Sequence, residues 1–295
     1  MTFIDAEIAR QPQAWRAAAG LVRAGVAGLP ATGERVAVVG CGTSWFMAEV
    51  YARQRESQGL GLTDAYTPSQ FPDSRDYDRI VVISRSGTTT EILDLLAAQR
   101  GRTATTVLTA SPGTPVLERA DDVIMLDFAD EQSVVQTLFA TTALTLLRAH
   151  LGQNIEELCT AAEFVLTDPL PPTWLDTEQI TFLGQDWAHG LAREAALKMR
   201  EACQLWTESY PALEYRHGPI AIAAPGRLVW FLGPGAEEFE AEVHSTGASF
   251  VFSADDPQVD LIRVQRLAVA LAVRRGLDPD RPRALSRSVV LSAAG

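Results

Sequence analysis

The sequence has little cysteine: three residues in 295, Cys41, Cys159 and Cys203, with no CxxC pair among them. That excludes a disulfide framework, offers no ligand set for structural zinc, and fits a reducing, cytoplasmic compartment. Basic charge is also scarce. Lys and Arg number 25 against 37 Asp and Glu, a net charge of −12, and no Lys/Arg run exceeds two residues. Such a chain is a poor partner for nucleic acid or an anionic membrane. No stretch reaches the roughly 18 uninterrupted apolar residues of a membrane span. The segment Met1 to Glu7 lacks the basic region and apolar run of a secretion signal. No GxxxxGKS or GxxxxGKT motif is present, which removes a P-loop nucleotidase. The expectation is a protein with no metal and no cofactor. A phosphate ligand survives these exclusions, because backbone amides bind one locally against an unfavourable net charge.

What is present is apolar and patterned. Hydrophobic residues make up 47% of the chain and charged residues 21%, ample for a core. At roughly 150 residues per domain, the length predicts two domains or one large one. Residues 5–28 read as one or two amphipathic helices, ending near Gly28-Leu29-Pro30. Short apolar runs then alternate with helical patterns. The runs are Arg35–Gly40, Arg79–Ser84, Ala104–Thr109 and Asp122–Leu126; the helices are Trp45–Arg55, Thr90–Arg100 and Val134–His150. Runs buried on both faces, alternating with helices, predict a parallel sheet with crossover helices. Three prolines in residues 168–173 suggest a linker. The pattern then restarts with Gln179–Gly184, a helix over His189–Trp206, Arg227–Gly233, a helix over Glu237–Ser245, and Ala248–Ser253. It reads as a degenerate duplication of one α/β domain. The expected divisions are N-terminal helices over 1–30, a first domain over 31–167 and a second over 174–295.

Doubly wound sheets bind ligands at the carboxyl ends of their strands. There the first half has Gly40-Cys41-Gly42-Thr43-Ser44 and Ser84-Arg85-Ser86-Gly87-Thr88-Thr89, each leading into a helix. Glycine lets the backbone approach a ligand, and hydroxyls join helix N-terminal amides as converging donors. Thr43, Ser44, Ser84, Ser86, Thr88, Thr89 and Thr90 together suit a phosphate. The plainer alternative is two helix N-caps, since Ser and Thr are preferred there. Two such loops in register, with Gln136 and Thr137 further on, favour the cradle. The first loop lacks the third glycine of GxGxxG, and no acidic residue ends the next strand, which argues against a dinucleotide. The matching loops of the second half, at Gly184 and Gly233, have lost the donors, and Asp186 would repel an anion. One half is expected to hold phosphate and the other to supply something else.

That something lies between residues 194 and 219. Helical spacing places Glu194, Lys198 and Glu201 on one face. On spacing alone this reads as a solvated salt-bridge face. Downstream, His217 precedes Gly218-Pro219, which fixes the backbone and leaves the imidazole available as an acid or base. His150, His189 and His244 read as ordinary helix positions.

These segments carry a resemblance. VVGCGTSWFMAE and ISRSGTTTEILDLL resemble the sugar isomerase (SIS) domain family. EAALKMREACQLWTESYPALEYRHGP is similar to the catalytic segment of the isomerase half of glucosamine-6-phosphate synthase, and RPRALSRSVVLS to its C-terminal loop. YRHGP is also similar to the related ketose-phosphate isomerases and amino-sugar-phosphate deaminases. The resemblance implies two tandem SIS subdomains, each a flavodoxin-like αβα sandwich around a parallel sheet. It implies that Ser44, Ser84, Ser86 and Thr89 hold the phosphate and that Gln136 and Thr137 touch the sugar. Gly42, Thr43 and Arg85 in the same loops, with Arg287 in the tail, complete the expected phosphosugar-binding set. Glu201 matches the base that moves a proton between carbons 1 and 2, and His217 the ring-opening residue. Lys198 matches a lysine that assists near the carbon-1 oxygen or nitrogen. The family shares active sites across a homodimer. Two departures stand out. There is no glutaminase segment and no Cys at position 2, so glutamine-derived ammonia is not expected. Arg287 replaces a tail lysine that forms an imine in the synthase, and an arginine stays protonated. The expected chemistry is isomerisation of a hexose 6-phosphate, or deamination of an amino-sugar phosphate. The alternative is a non-catalytic sugar-phosphate sensor.

Overall fold

A computed structural model describes residues 2–291. The last four residues of the expected second domain, 292–295, lie outside the described residues. The chain packs as two units. One takes Gln13–Ile155 together with the chain from Leu285 onward; the other takes Glu156–Ala284 together with the chain through Pro12. The tail, expected with the second domain, therefore groups with the first sheet. Residues 5–28 contain a single helix, α1 (Phe3–Arg23).

The first unit is built on five parallel strands, β1 (Val36–Gly40), β2 (Thr63–Tyr66), β3 (Arg79–Ile83), β4 (Ala104–Thr109) and β5 (Asp122–Met125), in the order β2-β1-β3-β4-β5. Its crossover helices include α2 (Thr43–Ser57) and α3 (Thr90–Gln99), and α4 (Leu138–His150) closes the unit. All five residues of β1 are buried, as its unbroken apolar run requires. Trp15 of α1 is also buried and donates its indole N–H to Thr141 Oγ1 at 3.1 Å. The register pairs Gly40 with Ile83 and Ile83 with Leu108, which brings β1, β3 and β4 to the same level at their carboxyl ends. Edge strand β2 is held by Arg55, whose buried guanidinium donates to Thr63 Oγ1 and to the carbonyls of Ala31, Glu34 and Gly61. Helix α4 begins at Leu138 rather than at Val134, because residues 131–137 are held otherwise.

The second unit contains α5 (Ile155–Thr167), β6 (Gln179–Gly184), α6 (Ala188–Cys203), β7 (Trp206–Pro211), β8 (Arg227–Leu232), α7 (Glu237–Ser245), β9 (Ser249–Phe252) and α8 (Pro257–Arg274). Its four strands are parallel in the order β7-β6-β8-β9, the first four positions of the other sheet's order. Helix α6 stops three residues before Trp206, because Gln204 turns into the left-handed region (φ 54°) and its N–H caps Met199 O. Helix α8 starts with Asp256, whose carboxylate accepts from Gln258 N at 2.9 Å ahead of Pro257 in the first turn. Asp260 in α8 accepts from the Trp230 indole at 2.7 Å and from Arg263 at 2.9 Å. Both sheets are thus parallel, with flanking helices, and the fold is the pair of tandem αβα subdomains that the sequence predicts. No helix among the described residues is long and apolar enough to cross a membrane.

Candidate functional site

The first unit presents the two hydroxyl loops. The first turns directly from β1 into α2. A Cβ on Gly40 would lie 2.6 Å from the carbonyl carbon of Ser44, so only glycine lets the strand end meet the first turn of the helix. Thr43 and Ser44 sit at that turn and are buried. Cys41 lies in the same loop. Burial, with a contribution from Glu91, pushes its thiol up to about 11. It stays protonated at neutral pH and is no nucleophile.

The second loop follows β3. Gly87 adopts φ +62°, and a Cβ there would approach Thr114 Oγ1 to 2.3 Å. The loop folds on itself, with Thr88 N donating to Ser86 Oγ at 3.3 Å. Ser84 and Ser86 are buried, while Thr88, Thr89 and Thr90 are half-buried at the start of α3. The tail lies along this loop. Ser288 Oγ accepts from Ser86 Oγ at 3.2 Å and from Thr88 Oγ1 at 2.9 Å. Thr90 N donates to Val289 O at 3.3 Å, and Leu291 N to Thr90 Oγ1 at 2.9 Å. The tail's Ser288 carries no signal in the sequence beyond its place beside Arg287.

The other members of the expected set in this unit divide. Thr137 donates through N and Oγ1 to Glu131 Oε1, at 2.6 and 3.2 Å. Gln136 Oε1 is buried without a hydrogen-bond partner among the described residues, an acceptor suited to a hydroxyl donor. Arg85 does not offer its guanidinium to the loop's hydroxyls. Its side chain is 2% exposed, and its donors reach Glu131 and the carbonyls of Ser133, Val134 and Arg287. The Arg287 guanidinium bonds Asp130 and the Glu131 carbonyl, and approaches Ser111 Oγ at 3.5 Å. It ties the tail to residues 130–131.

The second unit presents the ionisable groups. Alanine-rich α6 buries most of its length, which fits a helix packed against β6 and α8. Lys198 is 1% exposed, as is Glu194, and its ammonium lies 3.4 Å from Glu194 Oε1. It also makes a short contact with Glu201 Oε2. Glu201 keeps 18% exposure. The face that spacing alone reads as solvated is a buried ammonium between two carboxylates, one of them open to solvent. The segment after α6 is pinned at several points. Thr207 Oγ1 donates to Ala196 O at 2.7 Å, and Arg200 donates to Thr207 O at 3.2 Å. Arg216 donates to Glu242 Oε2 at 2.8 Å and stacks on the Phe239 ring. Next to it His217 is exposed, ahead of Gly218 at φ +130°. The imidazole therefore sits on a fixed stretch of backbone. Among the described residues, no group of three or more His, Cys, Asp or Glu is placed to hold a metal ion.

Residues 31–150 match the SIS domain. The glutamine–fructose-6-phosphate aminotransferase (isomerizing) of Methanothermobacter thermautotrophicus is 28% identical over 306 residues, covering 88% of this chain and 52% of that protein. The chain spans about half the length of the curated relatives it matches. Among solved structures, glucosamine-6-phosphate deaminase from Thermotoga maritima superposes with a TM-score of 0.82 at 23% identity, covering 98% of this chain and all of that one. Tagatose-6-phosphate ketose/aldose isomerase from Escherichia coli superposes with a TM-score of 0.79 at 16% identity, covering 99% and 96%. At these identities the two structures establish the fold.

Proposed function

From the SIS domain of residues 31–150 we infer that the chain is a phosphosugar isomerase or amino-sugar-phosphate deaminase, acting on a hexose 6-phosphate with Glu201 as the base. The observation that carries this reading is the ion cluster on α6. A buried ammonium binds two carboxylates, and only Glu201 retains solvent access. A general base has to be oriented and yet reachable, and Glu201 meets both conditions. The names of the relatives, an isomerizing aminotransferase, a deaminase and a ketose/aldose isomerase, all involve sugar phosphates of this kind.

In this reading Ser44, Ser84, Ser86 and Thr89 anchor the phosphate with the amides of the loop and of the α3 N-terminus. That remote binding positions the reacting carbons. Gly42 and Thr43 shape the first loop, and Gln136 accepts from a sugar hydroxyl. His217 assists ring opening, acting across a homodimer. Glu201 then takes the proton from carbon 2 of the open-chain aldose and returns it to carbon 1. The hydroxyl proton moves from the carbon-2 oxygen to the carbon-1 oxygen, leaving a ketose. Lys198 holds Glu201 in place and stabilises the negative charge that develops at the carbon-1 oxygen. With an amino group on carbon 2, the same transfer gives a ketimine. Water adds to it, and ammonia leaves with the ketose phosphate as the other product.

The test is incubation with glucosamine 6-phosphate, galactosamine 6-phosphate, fructose 6-phosphate and tagatose 6-phosphate. Ammonia release and aldose–ketose interconversion are both measured. Glu201→Gln should lower turnover and solvent deuterium exchange by about 10²–10⁴-fold while leaving phosphosugar affinity nearly unchanged. Exchange at the wild-type rate in that variant would refute Glu201 as base. Tight binding of a phosphosugar with no turnover by the unaltered protein would identify a sensor instead.

A further inference from the structure

Arg85 stands between two expected phosphate ligands, Ser84 and Ser86, yet its side chain is buried. We propose that Arg85 and Glu131 form a buried positioning pair that holds the hydroxyl loop, the Gln136–Thr137 segment and the tail in one arrangement, without touching the ligand. The proposal rests on the phosphate reading above.

Glu131 is fully buried. Its Oε1 accepts from Thr137 N at 2.6 Å, from Leu138 N at 2.7 Å and from Thr137 Oγ1 at 3.2 Å. It therefore caps α4, a task usually done by the residue just before the helix; Thr137 makes no such bond of its own. A carboxylate there also meets the positive end of the helix. Its second oxygen, Oε2, lies 3.4 Å from Arg85 Nη1. The same nitrogen donates to Ser133 O at 3.0 Å, and Nη2 donates to Val134 O at 3.0 Å and to Arg287 O at 3.3 Å.

Three segments distant in sequence thus meet on one ion pair. Burying two charges is tolerable only where the remaining donors and acceptors are met, and here backbone carbonyls and amides meet most of them. The planar fork of arginine suits the task. It reaches a carboxylate and three carbonyls from one rigid group, which an ammonium cannot do with the same geometry. The consequence for function is mechanical. Ser84 and Ser86 cannot shift relative to Gln136 and Thr137 unless this pair breaks. The grip on the phosphate and the grip on the sugar are set together.

The experiment compares Arg85→Met, Arg85→Lys, Glu131→Gln, the Arg85→Met/Glu131→Gln pair and Ser86→Ala/Thr89→Ala. Fructose 6-phosphate binding is followed by calorimetry. Amide hydrogen exchange over residues 84–89 and 133–138 is followed by mass spectrometry. Arg85→Met and Glu131→Gln should each weaken binding about tenfold, the loss expected when one charge-assisted hydrogen bond is strained. Arg85→Lys should recover part of it. The double variant should be no weaker than the worse single one, because the two residues act through each other. Exchange should rise in both segments together, Glu131→Gln and Arg85→Lys supplying this readout if Arg85→Met does not fold. Wild-type affinity in folded Arg85→Met and Glu131→Gln, beside lost binding in Ser86→Ala/Thr89→Ala, would overturn the positioning role and leave the phosphate reading intact. Wild-type binding in Ser86→Ala/Thr89→Ala would overturn the phosphate reading, and the positioning role with it. Additive losses would show two independent structural residues and also overturn the proposal.

Discussion

Lys198→Met tests whether the ion cluster of α6 is an interior unit. Methionine keeps the length and apolar stem of lysine and removes the charge. Lys198 and Glu194 are each 1% exposed and lie 3.4 Å apart. In the variant, the Glu194 carboxylate stays in a dry interior without that ammonium. Removing one partner of a buried pair costs about 3–5 kcal/mol. Glu201 adds little to this sum: it is 18% exposed, and ion pairs open to water contribute about 0–1 kcal/mol. The unit that holds α6 has about 140 residues. At about 2–4 °C per kcal/mol for a domain near that size, its unfolding should fall by roughly 6–20 °C. Differential scanning calorimetry is the assay, fitted without assuming one transition, since two units need not melt together. Adding Glu194→Gln to Lys198→Met removes the buried carboxylate that faced the ammonium and should recover at least half of the loss. A melting profile for Lys198→Met within about 2 °C of wild type would refute the reasoning and return the cluster to a solvated face.

Three further outcomes are expected. Ser86→Ala/Thr89→Ala should weaken phosphosugar binding by about 1.5–3 kcal/mol for each lost bond to a charged oxygen while preserving the circular dichroism of the fold; unchanged calorimetric affinity would remove these residues from the cradle. Burial, reinforced by Arg193, lowers the imidazole of His189 to about 4. Because the folded value lies below the ordinary His value of about 6.5, this stability is present above pH ~6.5 and is lost as pH falls towards 4. His189→Gln should flatten the pH dependence of denaturation midpoints in that window, by about 1–2 kcal/mol once solvent screening of a half-buried ring is allowed for; an identical pH profile would count against the shift. Finally, mixing Glu201→Gln with His217→Ala should restore activity in heterodimers if His217 serves its partner, and heterodimers shown to form without any activity would exclude sharing.

Most strands of each sheet are legible in the sequence because they are written in uninterrupted apolar runs. Strands β1, β3, β4 and β5 of the first sheet, and β6, β8 and β9 of the second, coincide with those runs. The two strands that were not expected, β2 and β7, share one cause. Both are edge strands, and their sequences, Thr63–Tyr66 and Trp206–Pro211, are polar enough to pass for loop. The opposite edges, β5 (DVIM) and β9 (SFVF), keep apolar runs and are readable, so it is the polar composition of β2 and β7, which an edge position tolerates, that hides them from periodicity. Helix α8 was missed although its signals, Asp256 ahead of Pro257, are local and readable. In the functional loops, spacing brought Glu194, Lys198 and Glu201 onto one face but could not say whether that face was wet. Burial comes from packing against β6 and α8, which lies outside any local window. Arg85 illustrates the converse. A basic residue in a phosphate-like loop reads as a ligand, and only the buried Glu131, 46 residues further on, reveals its other partner.

The return of the tail to the first sheet has a consequence in time. Ile155 closes the continuous part of the first unit, and Leu285 rejoins it about 130 residues later. At roughly 5–20 residues per second, a ribosome needs about 7–25 s to cover that interval. During it, the nascent sheet can form its strands while Ser86, Thr88 and Thr90 still lack the tail groups they meet in the finished chain. The hydroxyl loop is therefore among the last parts of the first unit to be completed, although most of its residues are among the first to be made.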